Sequence, residues 1–371
     1  MMDYDVAIVG AGPAGSATAR RLAMQGRRVI VLERSVFDEP RVGESLAPAV
    51  RDPLVKLGLW TEFLALKPLP SFGTRSVWGS ADVSQHSHLF SPYETGWHVD
   101  RLRFDHMLLQ AAKSAGAEPK LAARIEHCAF GADGMPELIV SHCGDRTSIR
   151  ARVLVDASGR KATLARSCKA RHRVFDRLVG VAVLLSDPDA SQHCYTHVEA
   201  TEDGWWYTAP LPQHRTIVML MSDADLVRAH RLDSEDAWRT ALAKAAFTRA
   251  RVGEKEPKWG PRIFSAISHR LIRSNESPTS WLAVGDAALS VDPISGSGVP
   301  RALNMAEAAA DAISQTLDGD PEAIPRYEAE RNRECTEYLV ERASYYGYEQ
   351  RWSRSPFWER RVHVLERSMA V

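Results

Sequence analysis

The sequence predicts an α/β fold: a parallel-sheet domain assembled from separated stretches of chain, a second domain with its own sheet, and a C-terminal helix. Three observations predict it. The buried-strand pattern DVAIVG (5–10) runs straight into the glycine turn GAGPAG (10–15) and a helix. A central strand closes on VDASGR (155–160). A third apolar strand, beginning at Trp281, ends at Gly285 and is followed by a proline- and glycine-rich turn and another helix. Strand, glycine turn and helix in that order is how a βαβ unit opens.

In sequence order, the first helix runs to about Gln25, where Gly26 is a natural stop. RVIVL (28–32) is the next buried strand and ends in Glu33. Residues 36–70 hold several prolines and mixed helix, and 71–91 read as short strands. A helix is expected over 99–115, and strands over 125–141 and 148–156. The middle, 179–222, is strand-like and contains GWWYTAP (204–210); 234–250 reads as helix. Helices are expected again at 298–317 and 324–352. Nucleotide-domain pieces therefore fall at 1–70, 97–165 and 278–320. A sheet-containing second domain falls at 71–96 and 166–277, and a helical segment at 321–371.

The chain has 371 residues, 44% hydrophobic and 25% charged, the composition of a soluble globular protein of about two domains. Lys plus Arg and Asp plus Glu are both 47, so there is no global basic field to draw nucleic acid or an anionic membrane. The five cysteines are odd in number and form no C-x-x-C pair, which argues against a disulfide framework and a zinc site. There is neither a signal-like start nor an apolar run of the about 20 residues a membrane span takes, so a cytoplasmic protein is the expectation.

The chemistry concentrates in the glycine turns. In GAGPAG, Gly10 permits the tight turn, Gly12 lets a diphosphate approach the backbone, and Gly15 lets the helix pack against the strand. Helix N–H groups from Ala14 onward and the dipole of the helix that begins at Pro13 then face that diphosphate. Glu33, at the end of the second strand, is placed to accept from ribose hydroxyls. In the later turn, GDAALSVDPISGSG (285–298), Asp286 can reach a ribityl or ribose hydroxyl. Gly296 and Gly298 allow backbone beside a flat ligand, where helix N–H groups stabilise negative charge.

GAGPAG together with GDA-x-x-x-x-DP-x-x-G-x-G resembles the FAD-dependent monooxygenases of the para-hydroxybenzoate hydroxylase fold. Asp156, Ser158 and Gly159 in VDASGR stand where that family carries its central Asp-Gly segment. The resemblance implies a discontinuous Rossmann-like FAD domain, with a substrate domain whose sheet covers the flavin. It also places Arg34, Arg41, Ser45 and Arg101 (or Arg103) on the FAD-facing surface, with a solvated role open for each arginine. Electrons would come from NAD(P)H or from a reductase supplying reduced flavin, and oxygen would pass to an electron-rich aromatic. Pro293, Trp206 and His98 are the candidate catalytic residues. Core packing is the competing reading for Trp205, Trp206 and Tyr207, and a structural histidine for His98. Tyr338, Tyr345 and Trp352, seven apart, are expected to pack the last helix onto the body.

Residues GES (43–45), His98-Val99-Asp100 and the segment before Trp78 are similar to the flavin-dependent halogenases and to halogenase-like maturation flavoproteins of quinone-cofactor oxidases. Two departures stand out. The halogenases carry S-F-K where this chain has Ser71-Phe72-Gly73, and W-x-W-x-I-P where it has Trp205-Trp206-Tyr207-Thr208-Ala209-Pro210. Three functions follow. The first is hydroxylation of a peptidyl tryptophan in the precursor of a cysteine tryptophylquinone oxidase. The second is hydroxylation or halogenation of a small aromatic. The third is a non-catalytic flavoprotein chaperone.

Overall fold

Strands β1 (Met2–Val9), β2 (Val29–Leu32), β8 (Glu118–Lys120), β11 (Asp145–Asp156) and β19 (Trp281–Ala283) form the parallel part of the first sheet. It continues antiparallel through β10 (Pro136–His142) and β9 (Ala123–Phe130), giving the order β8-β2-β1-β11-β10-β9 with β19 beside the end of β11. The apolar runs of β1 (Val6–Val9), β2 (Val29–Leu32) and the end of β11 (Val153–Val155) are buried in the core. Helices α1 (Pro13–Met24), α4 (Arg101–Ser114) and α8 (Gly298–Leu317) pack on the sheet, with α1 against both of the others. The computed structural model describes residues 2–93, 95–131 and 133–362.

The second large sheet holds β5 (Gly73–Val77), β6 (Ser84–Ser87), β13 (Leu178–Ser186), β14 (Tyr195–Thr201), β15 (Gly204–Leu211), β16 (Arg215–Asp223) and β17 (Pro257–Ser265). Across the sheet they run β17-β13-β16-β15-β14-β5-β6. One face carries α6 (Glu235–Ala243) and α7 (Ala246–Val252); α5 (Ala224–Ala229) follows β16. Two small sheets join the layers. One is β3 (Ser45–Leu46), β7 (Gly96–His98) and β4 (Leu69–Ser71); the other is β12 (Ala170–Val174), β18 (His269–Arg273) and β20 (Leu289–Ser290). Helices α2 (Arg51–Lys56) and α3 (Trp60–Ala65) lie in the proline-containing stretch.

The C-terminal expectation needs correction. Helix α9 is Ala323–Gly347 and stops before Trp352; α10 (Pro356–Val362) follows. The buried positions of α9 at Cys335, Tyr338, Arg342 and Tyr346 advance in steps of three and four. The buried stripe therefore reaches Tyr346, which is 1% exposed, and leaves Tyr345 44% exposed. The helix expected over 234–250 is two helices, broken at Lys244-Ala245. Among the described residues no helix is long and apolar enough to cross a membrane. No group of three or more potential metal-ligating side chains forms among them, and all five cysteines are free thiols.

Candidate functional site

The three glycine turns meet at one place. A Cβ on Gly10, whose φ is +107°, would lie 2.3 Å from Ala157 O; one on Gly15 would lie 2.0 Å from Gly10 O. A Cβ on Gly285 would lie 2.7 Å from Ala14 Cβ and 3.9 Å from Ala302 Cβ. These glycines therefore weld the central turn, α1 and α8 together. Backbone hydrogen bonds from Ala157 N to Val9 O (2.8 Å) and Val284 N to Asp156 O (2.9 Å) lock the same junction.

Other glycines at this junction face open space. Nothing lies within 4 Å of a Cβ built on Gly12, Gly159, Gly296 or Gly298. Gly12 caps α1, Ser297 precedes α8, and neither helix start has a side-chain cap. Two helix N-termini thus offer backbone N–H donors beside backbone that a ligand can approach, which suits anionic groups. Pro293 stands exposed between them in sequence order, in a short 3-10 turn at Pro293–Ser295.

The polar residues sort into two groups. Glu33 is 7% exposed; its Oε2 accepts from Ala11 N (2.8 Å) and its Oε1 from Ser35. Asp286 is partly open and pairs with Arg160 at 2.9 Å. Arg41 and Arg101 share the buried carboxylate of Asp105, at 2.8 and 3.1 Å, and Arg41 also donates to Ser35 Oγ. Burial opposes the charge on Arg101, but Asp105 and Glu44 hold its pKa above the ordinary value. Arg34 and Arg103 are solvent-exposed, so Arg101 is the arginine of its pair that faces inward.

Three expected site residues are buried. Asp156 is fully buried, and its oxygens accept from Ser158 N, Ser158 Oγ and Leu164 N, so it shapes its own turn. His98 is fully buried with Nε2 2.9 Å from Thr196 Oγ1; burial, then the Arg251 and His88 charges, push its pKa down to about 3. Both features favour the structural reading of this histidine over that of a proton carrier. Trp206 is 1% exposed and packs edge-on against Trp238 of α6 at 5.3 Å. Strand alternation sends it to the helix-covered face, whereas Tyr207 points the other way and bonds Ser45 Oγ at 2.8 Å.

A buried cluster that no sequence motif signals fixes the later turn. Tyr346 Oη donates to Asp292 Oδ2 (2.8 Å) and accepts from Trp205 Nε1 (3.0 Å). Asp292 N donates to Tyr338 Oη (2.8 Å), and Arg342 lies 3.5 Å from Asp292 and 3.0 Å from Asp176. Burial raises the pKa of Asp292, and Arg342 works against that rise.

A family model described as "FAD binding domain" matches residues 3–343. The chain belongs to this FAD-binding family. It is 32% identical over 97% of its own length and 97% of the relative's to a protein of Marinomonas mediterranea described as "Putative FAD-dependent oxidoreductase LodB". It is 28% identical, over 85% of this chain and 76% of the relative, to the 1H-pyrrole-2-carbonyl peptidyl-carrier-protein chlorinase of Pseudomonas fluorescens. The structure of the myxobacterial chondrochloren halogenase CndH superposes with a TM-score of 0.88 at 25% identity, covering all of this chain and 88% of that one. The protein is an FAD-dependent oxidoreductase, and the open backbone at Gly12, Gly159, Gly296 and Gly298 fits the cofactor. In this FAD-binding protein the departure at Gly73 is built in. Its φ is +152°, and a Cβ there would lie 2.1 Å from His86 O, so the hairpin of β5 and β6 leaves no place for a side chain.

Proposed function

We propose that this protein is a monooxygenase that hydroxylates an aromatic side chain of a partner protein, a peptidyl tryptophan in the precursor of a cysteine tryptophylquinone oxidase. The likeness to LodB carries the reading, because the match covers 97% of each protein. The resemblance of the motifs to the maturation flavoproteins supplies the substrate class. The carrier-protein chlorinase is a relative whose named substrate is itself attached to a protein. Gly73 supports hydroxylation over halogenation, since the amine that halogenases place there has no counterpart.

FAD supplies the oxygen-activating chemistry when bound. The protein's own residues bind and orient it. Gly12 and the α1 N-terminus would take the diphosphate, and Glu33 is placed for a ribose. Asp286, released from Arg160, would take a hydroxyl of the sugar alcohol that carries the flavin. The α8 N-terminus would take the flavin's electron-rich edge. Either NAD(P)H or a reductase supplies the electrons.

The test is kinetic. Precursor protein should stimulate flavin turnover and couple it to oxygen insertion, whereas free tryptophan, indole and phenols should not. A precursor with the target tryptophan changed to phenylalanine should bind without being oxygenated. Tightly coupled hydroxylation of a free small aromatic would decide for a small-molecule hydroxylase.

A further inference from the structure

The second sheet carries a basic cluster on the face turned away from Tyr207. On β14, Thr196 reaches His98 on the inner side, and its neighbour His197 turns to the outer side beneath α7. There the His197 ring stacks on Phe247 with centroids 4.5 Å apart. One turn along α7, Arg251 is 9% exposed and its Nη1 lies 3.2 Å from His197 Nε2. A guanidinium only donates, so Nε2 is the acceptor and the imidazole proton sits on Nδ1.

What remains is unpaired. Arg251 Nε, Arg251 Nη2 and His197 Nδ1 are buried, and none has a hydrogen-bond partner among the described residues. Nε and Nη2 form the side-on edge of the guanidinium, the edge that grips a carboxylate or phosphate with two parallel bonds. No carboxylate of the described residues is within ion-pair range of it. Asp187 acts on Arg251 from a distance, but its oxygens serve Thr216 Oγ1 (2.7 Å) and Asp189 N (3.3 Å). Glu199 serves the N–H groups of Phe247 and Thr248. More positive charge stands alongside: Arg75 is the strand partner of His197 on β5. A buried cation with its bidentate edge unpaired is costly unless an anion meets it.

We propose that the edge of Arg251 holds a small oxyanion, a carboxylate or a phosphate, in a site between α7 and the β5–β14 pair. Arg75 is exposed and His193 and Tyr195 are partly so, on the solvent side of the cluster. The site lies on the opposite sheet face from Tyr207 and is independent of the proposed reaction.

The experiment compares FAD-loaded wild type with Arg251→Gln by thermal unfolding in phosphate, acetate and chloride at equal ionic strength. Phosphate or acetate should raise the wild-type midpoint above that in chloride, and whichever does so names the anion. Arg251→Gln should weaken the apparent affinity by about tenfold or more, the loss of a charge-assisted bond. Equal midpoints in all three salts, or a shift that survives in Arg251→Gln, would overturn the proposal. If that variant does not fold, crystals of the wild type soaked in selenate decide. An anomalous peak at the Arg251 edge supports the site, and none there refutes it.

Discussion

The turn at residues 10–15 is held by backbone close to it in space and by its own short side chains. The turn at residues 292–298 is held by a helix that arrives 46 to 54 residues later. Gly10 and Gly15 press backbone on backbone, and Ala11 N is taken by Glu33 at the end of the next strand. Asp292, by contrast, is fixed by Tyr338, Arg342 and Tyr346 of α9, and through Tyr346 by Trp205 of the second sheet. The first turn thus rests on contacts within the parallel-sheet domain, at Ala157 and Glu33, whereas the second also depends on the C-terminal helix and the second sheet docking correctly. Flavin affinity should respond to changes far from the flavin on one side only.

The sharpest break in that comparison is at the first turn. Gly10→Val or Gly15→Val puts a side chain into backbone at 2.3 or 2.0 Å and should cost more than about 4 kcal/mol, leaving little folded protein by circular dichroism. Gly12→Val should separate folding from binding. Nothing is within 4 Å of its Cβ position, so the variant should fold with an ordinary melting curve and purify colourless. Full flavin content in that variant would show that the diphosphate lies elsewhere.

On the second turn, Tyr346→Phe removes the hydroxyl between Trp205 and Asp292 and leaves a buried carboxylate short of a donor. The expected loss is about 1–3 kcal/mol of stability, together with weaker FAD retention measured by fluorescence titration. An unchanged FAD affinity would mean that α9 merely covers the sheet.

The smallest effect is with acid. His98 and His197 are pushed down to about 3, and His269 to about 4, chiefly by burial. The unfolded protein takes up those protons near the ordinary value of 6.5, so stability present above that pH should be lost as it falls toward 4. His98→Asn should flatten the slope of melting temperature against pH. His197 lies on the second sheet and His98 and His269 on the two small sheets, so acid should loosen these before the first turn.

The same contrast explains what is legible in the sequence. The first turn and the α8 helix are legible because glycines, a proline and an apolar run sit together in sequence and answer to local rules. Parallel β1 and β2 follow from their apolar runs, and β11 from the apolar end that leads into VDASGR. The α9 clamp is not legible. Its buried stripe includes Arg331 and Arg342, which hide an apolar period, and the tyrosine that matters is Tyr346 where a seven-residue spacing suggests Tyr345. Trp205 and Trp206 look equivalent in sequence, yet strand alternation sends one toward Tyr346 and the other toward Trp238. His98 stands out in the sequence as a residue near the flavin, but its role depends on burial, which only the packed sheets disclose.

The central claim is oxygen transfer to a protein-bound tryptophan. Its most direct test is tandem mass spectrometry of the precursor polypeptide after incubation with the FAD-loaded protein, a reductant and oxygen, with bromide present in a parallel reaction. The account predicts a gain of one oxygen on one tryptophan, the same product with bromide, and none with the Gly12→Val protein. A brominated residue, or an unmodified precursor alongside an oxidised free aromatic, would contradict it.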